Sequence, residues 1–120
     1  MIEVLPESQG KFLWVRARGK ITTRDYEEVL IPRLENAIQV QGKVRLLWQV
    51  EEDFQGMEAG AMWDDTKFGM KHRKDFEKMA LVGGARWMDW LMKLFSPIME
   101  GELKTFSREQ LQEAWEWVKS

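Results

Sequence analysis

The chain has 120 residues, no cysteine, one histidine and a formal net charge of −2. That length suits one domain, residues 1–120, able to bury most of its apolar surface without staples. The missing thiols exclude disulfides and thiolate metal sites, and a single histidine excludes a histidine-rich metal centre. The charge is unevenly spread. Between residues 66 and 93, seven basic residues (Lys67, Lys71, Arg73, Lys74, Lys78, Arg86 and Lys93) face Asp75, Glu77 and Asp89, a net +4 that leaves −6 elsewhere. An acidic total with one short basic segment argues against nucleic acid as a partner. The N-terminal stretch carries acids where a signal peptide would carry lysines, and no apolar run approaches the roughly 20 residues of a spanning helix. The expected location is the cytoplasm, extended to peripheral contact with the inner face of the membrane.

In chain order, Ile2 to Leu5 reads as a short strand stopped by Pro6, with a turn through Ser8-Gln9-Gly10. Phe12 to Ala17 reads as a second strand closed by Gly19-Lys20, and the spacing pairs the two as an antiparallel hairpin. Thr22 and Asp25 form a variant capping box, opening a helix that runs to about Val40. Its inner face is Tyr26, Val29, Leu30, Leu34, Ala37 and Ile38; Pro32 should kink it or split off its first turns, and Gly42 ends it. Val44 to Val50 is too apolar for an edge strand and is expected at the centre of the sheet.

An acidic loop, Glu51-Glu52-Asp53, follows that strand, and then a helix over Ala59 to Arg73 burying Met62, Trp63, Thr66 and Met70. Lys78 to Val82 is a buried strand turned out by Gly83-Gly84. The helix from Ala85 ends at Ser96-Pro97, and Glu102 to Phe106 is a last strand. Ser107, with Gln110 three residues on, caps a final helix whose Leu111, Ala114, Trp115 and Val118 point inwards. The order β-β-α-β-α-β-α-β-α argues a layered α/β domain with a mostly parallel sheet and an N-terminal hairpin.

The Ala85 helix carries more apolar surface than one core stripe needs. Trp87, Trp90, Leu91 and Leu94 fall at i, i+3, i+4 and i+7, and Met88, Met92 and Phe95 form a second stripe beside them. Only Arg86, Asp89 and Lys93 remain for water. Such a helix either sinks between neighbours or borders something beyond the core: an apolar cavity, a membrane or a second subunit.

The residues Gly19-Lys20-Ile21-Thr22, Asp25-Tyr26, Pro32, Trp63-Asp64-Asp65, Phe68-Gly69, Lys71-His72, Ala80-Leu81-Val82-Gly83, Trp87, Ala114 and Trp117, in this order, resemble the SpoIIAA-like family of STAS-domain proteins. The resemblance covers essentially the whole chain. It implies a STAS-like fold, similar also to lipid-binding domains of the CRAL-TRIO type. Phosphorylation-controlled anti-sigma-factor antagonists that resemble this fold carry a serine where the second helix begins. Here that region reads Phe54-Gln55-Gly56-Met57-Glu58-Ala59-Gly60, and no Ser or Thr occurs between Thr23 and Thr66. The phosphorylation switch is therefore not carried over, and no phosphorylation site is assigned.

No catalytic constellation emerges. Asp65 and His72 are seven residues apart, about 10 Å along a helix axis, too far for a direct hydrogen bond. Asp64 and Asp65, as helix neighbours, point about 100° apart and make a poor metal pair. Gly83-Gly84 lacks the flanking residues of a phosphate loop. The chain is read as a non-enzymatic module without cofactor or metal that binds an apolar or lipid-like ligand under a cover formed by the helices at 59–75 and 85–95, with peripheral membrane association through the 85–95 helix. Trp63, Met70, Trp87, Trp90, Leu91 and Phe95 are its expected ligand and lid residues, and Lys67, Lys71, Arg73 and Lys74 its contacts to an anionic membrane surface. The second reading is a STAS-type interaction domain, possible as a homodimer through the same apolar face.

Overall fold

The computed structural model describes all 120 residues. Five strands form one sheet in the order β1 (Ile2–Val4), β2 (Phe12–Ala17), β3 (Val44–Val50), β4 (Phe76–Val82), β5 (Glu102–Phe106). The β1–β2 pair is antiparallel, with Ile2 opposite Ala17; the other three pairs are parallel. Each parallel neighbour is reached through a helix: α1 (Ile31–Gln41), α2 (Ala59–Lys71) and α3 (Ala85–Phe95). Right-handed crossovers that always advance in one direction place their helices on one face. The last helix, α4 (Leu111–Lys119), folds back over the other.

The two faces are therefore covered unequally. On the three-helix side, Leu13, Val15, Leu46, Trp48, Val50, Met79 and Leu81 of the sheet meet Leu34, Leu91 and Phe95 of the helices. On the α4 side, Trp14, Leu47, Ala80, Val82 and Phe106 meet Ala114, Trp115 and Val118, with the Trp14 and Trp115 rings 5.2 Å apart. Basic residues on that sheet face close the C-terminus of α4: Arg45 donates to the Val118 carbonyl at 3.1 Å and Lys78 to the Trp117 carbonyl at 3.1 Å. Cations at the negative end of a helix stabilise it, so the sheet holds α4 by charge as well as by burial.

The Thr22–Asp25 box forms as read: Thr22 N–H donates to the Asp25 carboxylate at 2.8 Å, and Asp25 N–H to the Thr22 hydroxyl at 3.1 Å. Of the two outcomes expected at Pro32, the chain takes the second: the first turns are split off. Asp25–Leu30 winds as a wide π-type turn, in which the Ile31 N–H reaches the Tyr26 carbonyl, and α1 starts only at Ile31 with Pro32 in its first turn. Pro32 has no N–H to offer, and its ring would collide with the carbonyl four residues back, so the chain widens before it. Widening turns Val29 outwards to 38 % exposure, against the inward position its spacing suggests.

Helix α2 is rotated from its expected face. Trp63 and Met70 are 63 % and 50 % exposed, while Ala61 and Gly69 are buried and Asp65 and Phe68 turn towards the sheet. Small residues decide this: Gly69 lies against Ile98 so closely that any side chain there would overlap it. The helix ends at Lys71, and β4 starts at Phe76, two residues earlier than its apolar run suggests.

Gly101 enters β5 with no room for a Cβ, which would overlap the backbone carbonyl oxygens of Phe76 and Glu77. Gly101→Ala should cost about 1–3 kcal/mol of stability in urea unfolding, because backbone cannot yield as a side-chain tip does. An unchanged midpoint would show that β5 is free to shift along β4.

Candidate functional site

Between α2 and the sheet lies a partly open, mostly apolar cavity. Its floor is Leu46, Trp48, Phe76 and Met79, and one end is Tyr26, Leu30, Ile31 and Leu34. Asp65, Phe68 and Gly69 of α2 roof it, and Ile98 and Met99 close the other end. It offers about 20 Å³ to the centre of a water-sized molecule, room for about one water and none for an acyl chain. Any larger occupant requires one wall to move.

Burial shows which wall is held least. One large side chain moved from water to core contributes about 1.5–3 kcal/mol. Helix α1 buries Leu34, α3 buries Leu91 and Phe95, and α4 buries Trp115 and Val118, whereas the fully buried residues of α2 are Ala61 and Gly69 alone. The roof of the cavity is the helix with the weakest apolar anchorage.

A polar latch supplements that anchorage. The Tyr26 hydroxyl donates to Asp65 Oδ1 at 2.8 Å, tying α2 to the π turn. Burial raises the Asp65 carboxyl to a pKa of about 7, against a downward pull from the Tyr26 hydrogen bond. Burial, and then the charge of Asp65, raises the Tyr26 phenol well above its ordinary value, so it stays a donor. Asp65 Oδ2 and the Trp48 indole N–H are buried without a partner in the chain. Each such group costs about 1–3 kcal/mol, which marks the cavity as chemically unfinished. The Trp48 ring is stacked between Tyr26, at 6.4 Å, and Phe95, at 5.6 Å, which fixes the plane of the indole.

None of Trp63, Met70, Trp87, Trp90, Leu91 and Phe95 lines this cavity. Leu91 and Phe95 are core residues, Phe95 acting only by backing Trp48. Trp87 stands edge-on to Phe54 at 5.0 Å and to Trp90 at 5.7 Å, both tryptophans half-buried. The second stripe of α3 is shallowly covered: Met88 and Met92 pack at the border of the three-helix core. Trp63 and Met70 share the outer face of α2 with Lys67, whose ammonium lies 5.9 Å from the Trp63 ring centre. Lys71 and Lys74 are exposed at the end of that helix, while Arg73 pairs with Glu100 at 3.2 Å.

The other charged candidates have structural duties. His72 Nδ1 meets the Asp75 carboxylate at 2.9 Å in the turn after α2, with its ring against Phe68. Glu58, in the segment where related switches carry serine, accepts the Thr23 backbone N–H at 2.8 Å. A hydrogen bond with Asp64, and repulsion from its charge, raise the pKa of the exposed Glu27 carboxyl at the outer seam. No group of three or more His, Asp or Glu side chains is arranged to hold a metal ion. Tyr26, Asp65 and Trp48 each read as ordinary helix or strand residues in the sequence; the one signal for them is the Asp25-Tyr26 and Asp64-Asp65 pairs within the resemblance.

A sheet with one antiparallel and three parallel pairs, three helices on one face and one on the other, defines an α/β protein of the STAS type. The family model described as SpoIIAA-like matches residues 12–119, and the chain belongs to that family. It is similar to the crystal structure of an uncharacterised protein of the DUF3478 family with a SpoIIAA-like fold from Shewanella loihica PV-4. The two are 29 % identical over 98 % of this chain and 93 % of that one, with a TM-score of 0.74. No curated protein matches the sequence significantly.

The raised Asp65 pKa has a consequence for stability. The folded value, about 7, exceeds the ordinary 3.8, so the folded state holds this proton more tightly than the unfolded chain. The contribution of Asp65 is therefore most favourable below about pH 4 and is lost as the pH rises to about 7, by at most about 4 kcal/mol. Asp65→Asn keeps an acceptor for Tyr26 and carries no charge. It should raise the unfolding free energy at pH 8 and flatten its slope between pH 4 and 7. An identical slope in the variant would mean that Asp65 is ionised and hydrated in the folded protein.

Proposed function

We propose that this chain is a non-catalytic SpoIIAA-like module that takes an apolar or lipid-like ligand into the space beneath α2. In this reading α2 is the movable cover, and its outer face meets an anionic membrane surface while it opens. One observation carries the proposal: the helix that roofs the apolar cavity fully buries no large side chain, Met62 and Phe68 being half-buried, yet exposes Trp63 and Met70 on its far side. A globular domain seldom spends a tryptophan this way without a surface for it to enter.

The energetics favour contact-driven opening. Lifting α2 gives up the Tyr26–Asp65 hydrogen bond, of about 1.5–3 kcal/mol for a bond to a charged group. Lys67, Lys71 and Lys74 offset that by about 1 kcal/mol each beside anionic lipid, and Trp63 and Met70 add apolar burial in the headgroup region. No helix is long and apolar enough to cross a membrane, so the association is peripheral and reversible. The acidic Glu27 and Asp64 lie towards the other end of the same seam, which orients α2 with its C-terminal end on the lipid.

Cosedimentation with vesicles of phosphatidylcholine and phosphatidylserine tests this. Trp63→Ala with Met70→Ala should lower binding several-fold, and raised salt should lower it further. Both positions are exposed, so the fold is spared. Unchanged binding would remove α2 from the membrane. A concentration-dependent dimer indifferent to vesicles would instead assign the Trp63–Met70 face to a second copy of the chain, as in a STAS-type interaction domain.

A further inference from the structure

The two unpartnered polar atoms of the cavity residues are of opposite kind and belong to opposite walls. Trp48, from β3, is part of the floor, and its indole nitrogen can only donate; Asp65, from α2, is part of the roof, and an ionised carboxylate oxygen can only accept. One group that accepts from the first and donates to the second satisfies both: a single water, for which the space has room, or a ligand hydroxyl that takes its place. We infer that the ligand taken up beneath α2 carries an uncharged hydroxyl head, as a long-chain alcohol does, set between Trp48 Nε1 and Asp65 Oδ2. Its hydrocarbon tail lies among Leu30, Leu34, Leu46, Phe76 and Met79. This rests on the apolar-ligand reading above and adds the chemistry of the head.

Other heads fit worse. A carboxylate brings a second negative charge against Asp65 in a setting of low dielectric. An ammonium suits Asp65 but leaves the Trp48 N–H without an acceptor. An alkane or an ester with no hydroxyl leaves Asp65 Oδ2 bare. The groups around Asp65 do not change this ordering. Tyr26, facing it from the π turn, commits its proton to Oδ1, and Phe68, Ile98 and Met99 are apolar. Glu27 and Asp64 are acidic, and Lys67 and Lys71 stand in the outer groove on the solvent side of the helix.

Isothermal calorimetry of the full chain with decanol and with decanoate, below their micellar concentrations, tests the inference. At pH 8 Asp65 is ionised, its pKa being about 7. Decanol should bind at least about tenfold more tightly than decanoate, the difference expected when one head completes two buried hydrogen bonds and the other meets like charge. Trp48→Phe keeps the ring stack and should weaken decanol about tenfold, while Asp65→Asn should narrow the gap by admitting decanoate. If decanoate binds as tightly as decanol to the unmodified protein, the hydroxyl head is wrong although the apolar site stands. If neither binds, with or without anionic vesicles present, the apolar-ligand reading falls and takes the head with it.

Discussion

The hydrogen bond from Tyr26 to Asp65 ties the helix with the weakest apolar anchorage to the π turn beside it. Tyr26 stands on a π turn forced open by Pro32, and Asp65 stands on the helix that fully buries no large side chain. Between them lies the apolar cavity. Remove the bond and α2 keeps its flanking chain, the small buried Ala61, the half-buried Met62 and Phe68, and the close seat of Gly69 on Ile98. The bond also explains how a carboxylate comes to sit in an apolar chamber. It draws Asp65 inward, and the cost of burying the charge appears as the raised pKa.

That cost is informative because a simpler solution was within reach. A leucine at position 65 would fill the space and stabilise α2 on the sheet, as Leu91 does for α3. Instead the cavity keeps an acid, a phenol and an indole in a shell of leucines and methionines. Polar groups held partly unsatisfied in an apolar pocket are the usual composition of a ligand site, with the apolar wall giving affinity and the few polar atoms giving orientation. The STAS-type frame supports this by placing three helices on one sheet face, where the middle one can move without disturbing α4.

Much of the frame is readable in the residues. The hairpin, the central place of Val44–Val50, both capping boxes and the inward face of α4 all arise from local rules that tertiary contacts do not override. The face of α2 is not readable, because its apolar residues are the ones turned outwards. A periodicity argument assigns Trp63 and Met70 to the core, whereas the deciding contacts are made by glycine, alanine and an aspartate, which carry no hydropathy signal. The same bias draws attention to α3, whose two apolar stripes are mostly absorbed by the core and by the Trp87–Phe54 contact. The cavity escapes for a further reason: its walls come from separate stretches of chain, Tyr26 to Leu34, Leu46 to Trp48, Asp65 to Gly69, Phe76 to Met79 and Ile98 to Met99, and only the fold brings them together.

The central claim is that α2 opens while the rest of the sheet stays closed, and native-state hydrogen exchange measures that directly. Amides in the middle of α2, from Asp65 to Met70, should exchange through a local opening of low free energy, well ahead of those in β3, β4 and α4. Anionic vesicles should speed exchange in α2 and leave the strands unchanged. Protection of α2 equal to that of the sheet, lost only on global unfolding, would contradict the account: the roof would then be fixed, and the cavity a packing defect sealed in the core.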